Sequence, residues 1–162
     1  MIRHIATRLL AAAALTASIL VFQSRPTEAD PGNPFDVLLG TWRGSGQIQL
    51  SQGKSQRLKC NAYYTGGGST LGMAIRCQSE SSNVEIRSKL SQSGGRITGT
   101  WERTFNAQGN ASGQAANGRM TLAISGAVTG SMLVSYSASR QSVSISTQNI
   151  ALKSVSIDLT RS

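Results

Sequence analysis

From Leu38 to the C-terminus, apolar and polar residues alternate with a period of two, in short runs broken by Gly, Ser and Asn. This is the pattern of antiparallel strands with one face on a core and the other in water. Trp42, Ile48 and Leu50 share one parity, while Arg43, Gln47 and Gln49 take the other. The same division recurs for Val84, Ile86 and Leu90; for Ile97, Trp101 and Phe105; and for Met120, Leu122 and Ile124. Met132, Val134 and Tyr136 follow, then Val143 and Ile145, then Val155, Ile157 and Leu159, the last two groups set between serines. Together with a hairpin around the glycines of "TGGGST", the pattern predicts about nine strands joined by short turns such as "QSGG", "AANG" and "SGAVTG". No amphipathic helix of useful length is visible beyond the N-terminal segment. Sequential hairpins of this regularity predict an all-β chain. The expected architecture is a single antiparallel up-and-down β-barrel of about eight to ten strands, because closure leaves no exposed sheet edge. A two-sheet sandwich is the alternative.

The two cysteines fall within this pattern. Cys60 and Cys77 flank "NAYYTGGGSTLGMAIR". Folding that segment about Gly66, Gly67 and Gly68 pairs Tyr64 with Met73 and Ala62 with Ile75, and so sets Cys60 opposite Cys77. A disulfide is predicted, worth about 3 kcal/mol by loop closure. Two cysteines without a histidine cannot complete a zinc site, and there is no Cys-x-x-Cys redox spacing.

The N-terminus breaks the alternation. "MIRHIATR" is basic, "LLAAAALTASILVF" is uncharged and apolar, and "QSRPTEA" ends in small Ala29. That order is the one found in secretory signal peptides, and the apolar run is too short to span a bilayer. The expected organisation is a signal peptide over 1–29, a turn-rich lead-in over 30–37 ("DPGNP"), and a barrel domain over 38–162, in a periplasmic or secreted protein. Cleavage after Ala29 would leave 133 residues, one ordinary domain. Three of the sixteen basic and one of the seven acidic residues would leave with the peptide, so the net charge would fall from +9 to +7. Such a balance favours anionic lipid or glycan surfaces of the cell envelope, or simply keeps a Ser/Gly-rich exterior in solution. The charges form no stripe, so nucleic acid is not expected as a partner.

Chemistry is scarce. The only histidine, His4, lies in the leader, which removes Ser-His-Asp and Cys-His arrangements and histidine-ligated metal or haem. "TGGGST" lacks the Gly-Lys-Ser/Thr ending of a phosphate loop. The strand-borne acids Glu85, Glu102 and Asp158 take the polar parity. No catalytic residue, metal or cofactor is expected, and the reading is of a protein that is not an enzyme.

Gly40-Thr41-Trp42 opens the first strand, and a second Gly-Thr-Trp stands at Gly99-Thr100-Trp101, 59 residues later. A Gly-x-Trp at that place, followed by a meander of alternating strands, resembles the calycin superfamily of lipocalins and avidins, here a small exported bacterial β-barrel. The resemblance implies a closed barrel that holds a small apolar molecule. In lipocalins an arginine of a late strand packs over the tryptophan. Arg161, on the parity of Leu159, matches that role, making Trp42 and Arg161 the barrel floor. Several family features are missing: the lipocalin helix before the last strand, the tryptophan cluster of avidins, and the histidine of haem-binding relatives.

Two functional expectations follow. The first is a binding barrel for a small apolar molecule, lined by Tyr64, Met73, Trp101, Phe105, Met120, Met132 and Tyr136. Small residues on the inward parity (Gly44, Gly46, Ala62 and Gly99) either leave room for the ligand or let strands bend, and a core wholly filled by side chains fits the same residues. The second is an envelope interaction module, either an anionic-surface binder using Arg43, Lys59, Arg76, Arg87 and Lys89, or a periplasmic protease inhibitor. Neither includes stable insertion in a membrane.

Overall fold

In a computed structural model, residues 33–81, 83–104, 107–148 and 150–162 are described; the expected signal peptide lies outside them, as does Phe105. Ten strands follow in chain order: β1 (Gly40–Leu50), β2 (Ser55–Gly67), β3 (Thr70–Gln78), β4 (Asn83–Ser93), β5 (Arg96–Arg103), β6 (Ala107–Ala116), β7 (Arg119–Gly126), β8 (Thr129–Tyr136), β9 (Arg140–Gln148) and β10 (Leu152–Arg161). Each pairs antiparallel with its sequence neighbours, and β10 returns to pair with β1, closing an up-and-down barrel. The sandwich alternative is thereby excluded. β6 is the strand the alternation does not reveal. Its inward positions are Gly109, Ala111, Gly113 and Ala115, too small to mark an apolar face.

The two ends of the barrel are built differently. At one end three hairpins turn within two residues, at Gly68-Ser69, Gly94-Gly95 and Asn117-Gly118, and the fourth takes three, 137–139. Gly94, Gly95, Asn117 and Gly118 all have positive φ, the backbone that two-residue hairpin turns demand. The lead-in folds under this end as a turn over 34–38, burying Phe35 and Leu38 completely. At the other end four of the five connections are longer, with three or four residues between strands at 51–54, 79–82, 104–106 and 149–151, while 127–128 has two.

Inward positions carry the core and outward ones are polar. On β10, Val155, Ile157 and Leu159 are buried between Ser156, Asp158 and Thr160, which face out. A membrane-spanning barrel shows the reverse, with an apolar band outside. Among the described residues no helix is long and apolar enough to cross a membrane. The inward glycines belong to strand curvature. A Cβ on Gly44 would stand 1.9 Å from the Asp158 carbonyl oxygen, and one on Gly99 2.1 Å from that of Lys89. The tight coiling of these strands therefore brings neighbouring backbone where a side chain would be.

Candidate functional site

The closed end is solid. Trp42 is fully buried, and its indole Nε1–H donates to the Leu38 carbonyl at 2.8 Å. The Arg161 guanidinium lies over the ring, 4.3 Å from its centroid. Its Nε donates to the carbonyl of Ala138 at 2.7 Å and one Nη to that of Leu39 at 2.6 Å, while the other Nη donates to Val37. One side chain thus ties the last strand to the lead-in and to the β8–β9 turn. Above it, Gln141 donates from Nε2 to the buried Tyr64 hydroxyl at 2.6 Å. Burial holds that hydroxyl well above the usual tyrosine range, with the Gln141 hydrogen bond pulling the other way. Gln141 Oε1 and the Tyr136 hydroxyl are buried and have no hydrogen-bond partner among the described residues.

The other half of the interior is hollow. A cavity of about 340 Å³ opens between the longer loops and takes lining residues from all ten strands. Its deeper wall includes Leu58, Met73, Ser88, Trp101, Ala111, Leu122, Met132, Ile145 and Ile157. Nearer the mouth stand Ile48, Leu50, Cys77, Val84, Ile86, Ile124 and Leu152, with Gln56, Ser81, Thr147 and Arg103 as polar company. Ser81 donates to Gln56 across the rim at 3.2 Å. Trp101 is positioned by donation from Nε1 to the Ser125 carbonyl at 3.1 Å, and its ring lies against Gly109, where a Cβ would come within 2.7 Å of Nε1.

Of the residues expected to line a ligand space, Met73, Trp101 and Met132 lie on this cavity. Tyr64, Met120 and Tyr136 do not, because they sit toward the tight-turn end, where the side chains fill the barrel. Gly44, Gly46, Ala62 and Gly99 do not line it either, so the room comes from the mouth half and not from the small residues. Cys60 and Cys77 form the expected disulfide, joining β2 to β3 beside the cavity wall.

A larger concavity, about 780 Å³, lies on the outside of β2–β6. It is a furrow between two rows of outward side chains, among them Lys89, Thr100 and Asn110 on one side and Arg87, Glu102 and Gln108 on the other. Arg76 and Arg87 flank it, but both contact Glu85, at 3.2 and 2.6 Å, and Arg76 also lies over the Tyr63 ring. The hydrogen bond from Arg87 holds the Glu85 carboxyl below its usual range. The enclosed apolar cavity, not the furrow, has the walls of a small-molecule site. Among the described residues no group of three or more His, Cys, Asp or Glu side chains could hold a metal ion.

No protein-family model matches the chain, and no curated protein does. Solved structures do. The fold is similar to that of Rv2717c from M. tuberculosis, with a TM-score of 0.68 at 15% identity over 78% of this chain and 93% of that one. It is also similar to the S-type phycobiliprotein lyase CPES from Guillardia theta, with a TM-score of 0.55 at 14% identity over 79% of this chain and 90% of that one. At these identities the likeness shows the fold alone. It nevertheless corrects one expectation. A barrel of this architecture is named as a lyase, so the reading of the chain as not an enzyme, drawn from its missing histidine and phosphate-loop motifs, does not stand. Those motifs belong to particular catalytic designs, and a fold hosts chemistry through its sites.

Proposed function

We propose that this protein is an exported binding barrel that takes a small, mostly apolar molecule through the loop-ringed mouth and holds it against Trp101, Met73 and Met132. The observation that carries the reading is the division of one interior into two halves. The tight-turn half is filled by Phe35, Leu38, Trp42, Met120 and their neighbours, while the mouth half keeps a cavity of about 340 Å³ with apolar walls. A barrel that needed only a core would pack both halves, since voids remove dispersion contacts from the residues that line them. The volume is near the lower end for small-molecule sites, which suits one slender molecule.

Export is part of the proposal. It rests on the charged, apolar, small-residue order of residues 1–29 and is supported by the Cys60–Cys77 disulfide, a bond that persists in oxidising compartments. The basic outer face supports the envelope reading less well, because Glu85 occupies the guanidinium groups of both Arg76 and Arg87.

Titration with 1-dodecanol tests the proposal. Trp101 fluorescence should change saturably at one equivalent, and Trp101→Phe should remove the signal while calorimetry still records binding. Absence of calorimetric binding by dodecanol and by other apolar probes of its size would overturn it.

A further inference from the structure

The rim of the cavity carries a feature that an apolar ligand alone does not use. Arg103 is the last residue of β5 and keeps the inward parity of Ile97 and Trp101. Its register partner is Ile86, and both line the cavity. Among the described residues it is the only charged one on that lining, and no carboxylate accompanies it there. The acids nearest in register, Glu102 and Glu85, take the outward parity, and Glu85 is engaged by Arg87 and Arg76. Among the described residues Arg103 has no ion-pair partner.

We infer that the ligand is a single-chain amphiphile with a carboxylate head, its chain in the cavity and its head on Arg103; the inference rests on the binding function proposed above. A guanidinium presents a planar fork that a carboxylate meets with two hydrogen bonds. Arg103 is exposed at the rim, so its fork is free to meet a head group at the mouth while the chain lies against the apolar wall. From Met73 at depth to Cys77 at the mouth the wall runs four residues of β3, roughly 13 Å along the strand. That length and the narrow volume suit one medium-length alkyl chain and exclude a two-chain lipid. A cationic head would meet the Arg103 charge at the mouth, and a neutral head would gain no charge pairing there.

Calorimetric titration with dodecanoate, 1-dodecanol and dodecyltrimethylammonium separates head from tail. The wild-type protein should bind dodecanoate about tenfold or more tighter than dodecanol, and the ammonium more weakly than either. Arg103→Gln should bring dodecanoate down to the level of dodecanol, and Arg103→Lys should retain part of the preference. Equal affinities in the wild type, or a preference that survives Arg103→Gln, would overturn the head-group assignment and leave the binding barrel standing. Failure of all three probes to bind would overturn both.

Discussion

The Arg161 guanidinium lies 4.3 Å from the centroid of the Trp42 ring and hydrogen-bonds to backbone carbonyls of two separate segments. Arg161 therefore acts as a latch. Arg161→Ala should lower stability by about 2–3 kcal/mol, since it removes charge-assisted hydrogen bonds as well as the ring contact. Arg161→Lys should rescue little, because an ammonium cannot reproduce the fork. Trp42→Ala should cost about 3–5 kcal/mol. Urea unfolding of the three variants checks these values.

Tyr64 and Gln141 form a buried pair contributed by β2 and β9. Tyr64→Phe should cost about 1–3 kcal/mol by leaving the Gln141 amide N–H unpaired, and adding Gln141→Met should recover most of it. A double-mutant cycle measures the coupling.

The same tyrosine gives the fold a pH limit. Its folded pKa is raised by burial, while an unfolded tyrosine ionises near pH 10. The folded state thus keeps a proton that the unfolded chain releases above that pH. Stability should be unaffected by this group below about pH 10 and fall as the pH rises beyond it. Burial shifts Tyr136 in the same direction. Tyr64→Phe should flatten the alkaline side of the stability profile, as followed by circular dichroism.

Reducing the Cys60–Cys77 bond should cost about 3 kcal/mol. A lower Tm in dithiothreitol, with the barrel still folded at room temperature, is the expected result. Two free thiols in protein recovered from its native host would contradict the disulfide.

The order of strands and the facing of the cysteines were legible because period-two alternation sets parity, and parity sets register in a meander. Other features were not. β6 lacked any large apolar residue, and Phe35 lies in the lead-in before the alternation begins. The inward glycines looked like candidate room for a ligand, yet at Gly44 and Gly99 the space beside the backbone is taken by the next strand. Where the interior is filled and where hollow depends on strand coiling and on which end the lead-in plugs, and neither is written in local pattern. Gln141 and Arg103 did leave a trace, as polar residues on the parity of inward neighbours; Gln141 is buried in the filled half, and Arg103 stands exposed at the rim.

Native mass spectrometry of protein purified from its own host tests the hollow half of the barrel most directly. A ligand-filled cavity should give one noncovalent adduct of defined mass at a one-to-one ratio. Ala111→Phe, which places a ring from the wall into the space, should abolish that adduct while preserving the fold. An adduct retained by Ala111→Phe, or a bare polypeptide mass for both proteins at the mildest ionisation, would contradict a ligand held in the mouth half.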